Sequence, residues 1–233
     1  MIQPKTSVLI SDSPLSAKSE STTSKKQWEE WLEITATLLL ACATVGSAWS
    51  AYQSKRWGGV QMFNMAAANR AQSDAVRLSN KASQLTSIDI NVFLQWANAV
   101  SSHQKQFADF ILQRFRPEMK VAVDAWIATR PLKNPNAPAS PFAMKEYSLS
   151  AQRQADQMSQ LALQKLNEAK AANAHADDYV MLTVLFASAL FFGGIGTKMK
   201  LRILRVILLS LGIAVFAVTA ALLIWMPIAH ELN

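Results

Sequence analysis

The residues able to do chemistry in this 233-residue chain are few and widely separated. Its three histidines are His103, His175 and His230, and none has a second His or Cys at the spacing of a metal site. The segment HADD places His175 and Asp178 three residues apart, which on a helix makes a half-site for a cation. A polar helix end is the simpler interpretation. The sequence therefore predicts no metal and no cofactor.

The groups used in nucleophilic catalysis are also missing. The chain has no Gly-x-Ser-x-Gly turn, and its single cysteine, Cys42, has no histidine near it in sequence. The glycine-rich segment GGIG, residues 193–196, lies inside an apolar run, where close helix packing explains it better than phosphate binding. Glu118 and Asp124 are interpreted as solvated positions on a helix face. We predict that the protein is not an enzyme.

Composition points instead to a membrane protein. Hydrophobic residues make up 51% of the chain and charged residues only 17%. Three runs, residues 34–54, 179–197 and 206–229, contain no charge and are about long enough to cross a hydrocarbon core of roughly 30 Å. The net charge of +7 comes from scattered cations, several of which flank these runs. They suit anionic lipid headgroups, so the bilayer is the predicted partner and nucleic acid is not.

Positive charge between the second and third runs predicts the topology. Cations in short loops are retained on the cytoplasmic side during insertion. We therefore expect the amino terminus in the cytoplasm and the long segment between the first two runs outside it. The residues that carry this prediction are Lys198, Lys200, Arg202 and Arg205.

An aromatic and basic cluster follows the first run and is interpreted as a membrane-interface belt, with its cations reaching the headgroups. A cation-selective or lipid-binding mouth is the functional alternative. Gly58 and Gly59, next in sequence, are expected to loosen the helix. With the end of the third run included, the belt comprises Trp49, Tyr52, Lys55, Arg56, Trp57 and Trp225.

Small residues in the first two runs predict close packing between helices. On the first run these are Ala43, Ser47 and Ala51, at steps of four, and on the second they are Ala189 and Gly193. The alternative is that the first helix lines a water-filled path in an oligomer. That stripe would consist of Thr37, Thr44, Ser47, Ala51 and Ser54.

The predicted fold class is all-α: three transmembrane helices and an elongated extramembrane helical bundle between the first and second spans. The predicted segments, in order, are a disordered cytoplasmic tail (1–28), the first transmembrane helix with its flanks (29–57), the extracytoplasmic bundle (58–178) with a proline-rich loop (130–143), the second transmembrane helix (179–197), a basic cytoplasmic loop (198–205), and the third transmembrane helix with a short outer tail (206–233).

Within the bundle, apolar residues at steps of three and four predict helices on both sides of the proline-rich loop. One helix is expected to begin with Ser87 as its amino cap, and another to begin at Pro117. The last helix should run without a break into the second span. The apolar centre is predicted to contain Phe93, Trp96, Phe107, Phe110, Phe115 and Trp126.

Three segments carry a resemblance to a known family: AWSAYQSKRWGGVQ, RFRPEMKVAVDAWIATRPLKNPNAPASPFAMKEY and DDYVMLTVLFASALFFGGIGT. Their order resembles that of a family of uncharacterised bacterial three-span integral membrane proteins with an extracytoplasmic helical domain. The resemblance covers roughly residues 30–225. It implies a bacterial plasma-membrane protein with three spans, and it implies no activity.

The sequence thus favours a non-enzymatic membrane protein that acts as an interaction or assembly module through its outer bundle. A homo-oligomer or another envelope protein is the expected partner. The alternative is a channel-forming subunit of a homo-oligomer, with the first span lining the path. The expected location is the bacterial plasma membrane.

Overall fold

The computed structural model describes residues 15–229, with side chains from Gln27 onwards. Over these residues the chain is helical and contains no strand. Three of the helices are long enough and apolar enough to cross a membrane. In chain order, the helices are α1 (Leu15–Ser101), α2 (Lys105–Leu112), α3 (Pro117–Ala128), α4 (Ser150–Lys198) and α5 (Arg202–Trp225), with one 3-10 turn (Pro141–Ala143) before α4.

Helix α1 begins at Leu15, within the segment 1–28 that was predicted to be a disordered tail. Extending an existing helix requires no new nucleation, and Lys, Ser and Glu are tolerated in helix interiors. A polar composition therefore does not end the helix in this segment. Residues 1–14 lie outside the described part of the chain.

Helix α1 is also continuous at two positions where the sequence predicted a change. It passes through Gly58 and Gly59, where an added Cβ would meet nothing within 4 Å. It also passes through Ser87, which was expected to cap a new helix. The Ser87 hydroxyl instead donates to the Ser83 carbonyl oxygen at 3.1 Å, a bond formed inside a helix. A cap requires non-helical backbone, and nothing interrupts the helix at this point.

Two other predicted boundaries agree with the structure. Helix α3 begins at Pro117, whose missing N–H costs nothing in a first turn. Helix α4 runs unbroken from Ser150 to Lys198, because no Gly or Pro interrupts it before the apolar run. The proline-rich loop consists of turns and the 3-10 segment.

The chain divides into two compact units. Unit 1 is Met1–Gly58 with Asn173–Asn233, and unit 2 is Gly59–Ala172. In unit 1, α1, α4 and α5 pack through small residues. An added Cβ on Gly46 would lie 2.6 Å from Phe186 Cζ, and one on Gly212 would lie 3.3 Å from the Ala189 carbonyl oxygen. Glycine therefore permits the close contact at both positions.

Unit 2 combines rows of buried alanine with one apolar core. The alanines of α1 and α4 are buried at steps of three, four and seven, which keeps them on one face of each helix. The core cluster lies around α2 and α3 and is lined from α1. Its buried members are Ile111, Phe115, Met119 and Val123.

Gly46→Ala should destabilise unit 1, because the new methyl group overlaps the buried Phe186 ring. Overpacking of this kind costs about 1–3 kcal/mol. Gly58→Ala is the matched control: the site is open, and alanine favours a helix over glycine by up to about 1 kcal/mol. Thermal unfolding of both variants in one detergent should give a lower melting temperature for the first and an equal or higher one for the second. Equal melting temperatures would contradict the contact.

Candidate functional site

The residues of the predicted interface belt do not all have the same surroundings. Trp49, Tyr52 and Trp225 are 43%, 50% and 89% exposed. Arg56 Nη1 lies 3.4 Å from the Tyr52 hydroxyl oxygen, and Lys55 is exposed. Their role as a membrane-interface belt stays a prediction.

Trp57 has a different role, because it holds the segment that follows α5. Its indole N–H donates to the Pro227 carbonyl oxygen at 3.1 Å, and the Tyr179 hydroxyl donates to the same oxygen at 3.2 Å. The Ala229 N–H donates to Gln53 Oε1 at 3.2 Å. We call this set of contacts the tail clasp. It fixes residues 227–229 against α1 and α4 within unit 1.

The HADD segment does not form a cation site with its neighbours. The His175 ring contacts the Trp57 ring in a tilted arrangement, with centroids 4.7 Å apart, and Asp178 is exposed. Among residues 27–229, no group of three or more His, Cys, Asp or Glu side chains is arranged to hold a metal. His230 lies outside the described residues, and His103 is exposed in the turn after α1.

The small residues chosen from the sequence are only partly in the packed face of α1. Ala43, Ala189 and Gly193 are buried, Ser47 is half-buried and Ala51 is exposed. Ala51 therefore does not belong to the packed face within one chain. Successive steps of four drift around a helix, whereas alternating steps of three and four stay on one face. The buried face consists of Ala36, Leu39, Ala43, Ser50 and Gln53.

The cations expected to set the topology lie at the junction of α4 and α5. Lys198 ends α4, Arg202 begins α5, and Lys198 and Lys200 are exposed. The Arg202 guanidinium lies 5.8 Å from the centroid of the Trp28 ring. Arg205 pairs with Glu33 at 3.6 Å.

An apolar groove in unit 2 is the strongest candidate for a binding site. Its volume is about 850 Å³, within the range typical of small-molecule sites. It is formed by the end of α1, the end of α3 and the turn that follows α3. The lining residues are Phe93, Trp96, Ala97, Val100, Ser101, Trp126, Ile127, Arg130, Pro131, Leu132 and Lys133.

The uncharged polar side chains of this groove already have partners. The Trp126 indole N–H donates to the Pro138 carbonyl oxygen at 2.7 Å, and the Ser101 hydroxyl donates to the Asn98 carbonyl oxygen at 2.9 Å. Arg130 and Lys133 are exposed and form no ion pair within the described residues. Among the polar side chains of the lining, these two have no hydrogen-bond or ion-pair partner in the described part of the chain.

The predicted aromatic centre is only partly correct. Phe93 contacts Trp96 and Trp126, with centroid distances of 5.7 and 5.5 Å, and Trp96 contacts the buried Phe115 at 6.2 Å. Phe107 and Phe110 were expected there too, but they are 46% and 50% exposed.

The two misplaced rings lie on the outer face of α2. On this helix Ala108 and Ile111 are the buried residues, so Phe107 and Phe110 turn outwards. They stack on each other at 6.4 Å, and the Arg114 guanidinium lies 3.6 Å from the centroid of the Phe110 ring. We call Phe107 and Phe110 the α2 aromatic patch.

A buried ionic cluster connects α1, α3 and the segment before α4. Asp89 is 1% exposed, and its Oδ2 accepts a hydrogen bond from the Tyr147 hydroxyl at 3.0 Å. Arg116 Nη1 lies 3.6 Å from the same oxygen. Burial raises the pKa of the Asp89 carboxyl above its ordinary value, although both partners oppose the shift. Burial likewise raises the pKa of Tyr147 to about 12.

Glu118 extends this cluster to the start of α4. Its Oε1 accepts a hydrogen bond from the Ser150 N–H at 2.8 Å, and its Oε2 pairs with Arg116. These bonds lower the pKa of Glu118 to about 2, the Ser150 bond having the larger effect. A carboxylate at a helix amino terminus also stabilises the helix dipole. The prediction that Glu118 is an ordinary solvated residue is therefore wrong.

One sequence signal indicates this cluster. The steps of three and four that run along α1 through Leu85 and Val92 also include Asp89, so a carboxylate falls on the buried face. A buried carboxylate requires a partner. Nothing in the spacing identifies that partner as Arg116 or Tyr147, because those contacts join distant parts of the chain.

Glu118→Gln should lower the stability of unit 2 at neutral pH by about 1–2 kcal/mol, because the charged bond to Arg116 is lost. A carboxylate with a depressed pKa stabilises the fold above its ordinary pKa of about 4.5, and this stabilisation is lost as the pH falls towards 2. The difference in melting temperature between wild type and variant should therefore shrink below pH 4.5. The Glu118 charge also helps to raise the pKa of Asp89, so the comparison measures the loss of Glu118 together with this smaller effect on Asp89.

Asp124→Asn is the control for this prediction. Asp124 lies on the same helix and pairs with Lys120 at 3.0 Å, but both side chains are about half exposed. Such pairs contribute about 0.5 kcal/mol or less. A pH-independent loss in Glu118→Gln, or an equal loss in Asp124→Asn, would contradict the assignment.

Comparisons with protein-family models, with curated proteins and with solved structures find no match to this chain. The resemblance to three-span bacterial membrane proteins therefore stays a prediction.

Proposed function

We propose that this protein is a non-enzymatic integral membrane protein of the bacterial plasma membrane, and that unit 2 is an interaction or assembly module outside the cytoplasm. The three long apolar helices support the membrane location. The cations between α4 and α5 support an orientation in which the start of α1 and the junction between α4 and α5 both lie in the cytoplasm.

The observation that carries the proposed role is the exposure of the α2 aromatic patch. The core of unit 2 closes around Ile111, Phe115, Met119 and Val123 without Phe107 or Phe110. The two stacked phenylalanines lie outside this core and are about half exposed. Exposed apolar surface with a basic neighbour, here Arg114, is typical of interaction sites.

The described residues of unit 2 do not suggest a reaction. Its candidate groove contains no carboxylate, histidine or cysteine, and its two cations stand at the rim. The buried Asp89 and the half-buried Glu118 have Arg116, Tyr147 and Ser150 as partners, and these contacts stabilise the fold. Binding is therefore favoured over catalysis.

The rival function, a channel-forming subunit of a homo-oligomer, is favoured by one observation. Thr37, Thr44 and Ala51 of the proposed path are exposed on the single chain, where a second copy would reach them. The Thr37 and Thr44 hydroxyls, however, donate to carbonyl oxygens of their own helix at 2.8 and 2.7 Å. Their donors are therefore satisfied without water, and no charged residue lies in the first apolar run, so the interaction module is the better proposal.

The orientation can be tested by thiol labelling in a Cys42→Ala background. A cysteine at Pro135, in the loop of unit 2, should react with an impermeant maleimide in intact spheroplasts. A cysteine at Lys200 should react only after the membrane is opened. The reverse pattern would put unit 2 in the cytoplasm.

The α2 aromatic patch can be tested by photocrosslinking in living cells. A benzophenone amino acid at Phe110 should crosslink to a different envelope protein, and adding Phe107→Ser should strongly reduce the yield. Val121 of α3, which is 56% exposed, is the control position and should give no such product.

Crosslinking of Phe110 only to a second copy of the chain would make self-assembly the role of the patch. No crosslinked product from Phe110, or an equal yield from Val121, would contradict the proposal. Purified protein should also show no single-channel conductance in planar bilayers. Conductance that is lost in Thr44→Leu would favour the channel instead.

A further inference from the structure

The groove in unit 2 has a pattern of polarity that points to one class of ligand. Its walls are formed by Phe93, Trp96, Val100, Trp126 and Ile127. The Trp126 indole N–H and the Ser101 hydroxyl are already bonded to carbonyl oxygens of the chain. A ligand segment inside the groove therefore finds no uncharged polar side chain free to bond to it.

This pattern disfavours a peptide as the occupant. Each peptide unit brings an N–H and a carbonyl group that must be satisfied when they leave water. The side chains of the walls offer no partner for them, whereas a hydrocarbon chain requires none. The body of the ligand is therefore apolar throughout.

Two cations of the groove favour a ligand with an anionic head group. Arg130 and Lys133 lie on one hydrogen-bonded turn, in which the Lys133 N–H donates to the Arg130 carbonyl oxygen at 2.8 Å. Neither cation forms an ion pair within the described residues, and no acidic residue lines the groove. Leu132 lies between them in sequence and is 98% exposed. An anionic head attached to an apolar chain would pair with the cations and cover this leucine.

We propose that the groove binds a single-chain amphiphile with a carboxylate head, a free long-chain fatty acid. The chain lies between Trp96 and Trp126, and the carboxylate pairs with Arg130 and Lys133. A volume of about 850 Å³ suits one chain of this kind. The site is separate from the α2 aromatic patch, so it does not depend on the role proposed for that patch.

Photocrosslinking with the full-length protein in phosphatidylcholine nanodiscs tests this site. The probe is palmitic acid that carries a diazirine in its chain, and the comparison probe is the matching diazirine hexadecanol. After digestion, mass spectrometry should find the acid on peptides that contain residues 93–101 and 126–133. The alcohol should label them at least about tenfold less, because it has no charge to pair with the cations.

Two variants test the assignment of the groups. Arg130→Gln/Lys133→Gln should reduce the labelling of the groove peptides by the acid about tenfold. The matched control, Lys105→Gln/Lys145→Gln, removes two exposed cations that do not line the groove and should leave the labelling unchanged. Leu132→Asp should also reduce it, and because this side chain is almost fully exposed the fold should not depend on it.

Several outcomes would overturn the proposal. Labelling confined to the apolar helices, equal labelling by acid and alcohol, or labelling unaffected by loss of both cations would each exclude a carboxylate site. A diazirine phosphatidylglycerol that labels the groove as well as palmitic acid does would make a bilayer lipid the occupant. The comparison of acid with alcohol uses the wild-type chain, so it decides the question even if a variant does not fold.

Discussion

Close approach of α1 to its neighbours depends on side chains that end at Cβ. Between residues 59 and 82 of α1, and between residues 151 and 169 of α4, every fully buried position is an alanine. A longer side chain at these positions would separate the helix backbones. Each alanine buries little apolar surface, so these rows contribute little to the free energy of unfolding. Their main effect is on the distance between the helices. The remaining stability of unit 2 has to come from its aromatic core and its ionic cluster.

The ionic cluster contributes specificity to this scaffold. Arg116 serves two carboxylates whose pKa values move in opposite directions: that of Asp89 rises because of burial, and that of Glu118 falls because of its hydrogen bonds. A buried pair alone is weak evidence of stability. Here, however, the bonds join residues 89, 116, 118, 147 and 150, which no local pattern would bring together. They select one arrangement of α1, α3 and α4 among those that the alanine rows would allow.

Local chemistry is the part of this fold that sequence can predict. Pro117 begins α3 because proline fits a first helical turn, and α4 is continuous because nothing breaks it. Ser87 led to the wrong prediction of a helix start, because a serine caps a helix only where the helical backbone is already interrupted. Phe107 and Phe110 were wrongly predicted to lie in the core, because hydrophobicity alone does not show which face of a short helix packs against it. The groove could not be predicted, because its walls come from two helix ends and a turn that are separated in sequence.

Helix α5 is held by polar contacts near both of its ends. Arg205 pairs with Glu33 at one end, and beyond the other end the tail clasp binds Pro227 and Ala229. Between these ends α5 packs closely at Gly212, where an added Cβ would lie 3.3 Å from the Ala189 carbonyl oxygen, so a shift of α5 along its axis would bring larger side chains against that backbone. Such a shift would also break the hydrogen bonds of the tail clasp. In the bilayer proposed for this protein, a change in hydrocarbon thickness would therefore be met by tilting of the three helices together or by deformation of the lipid, and not by adjustment of one helix alone.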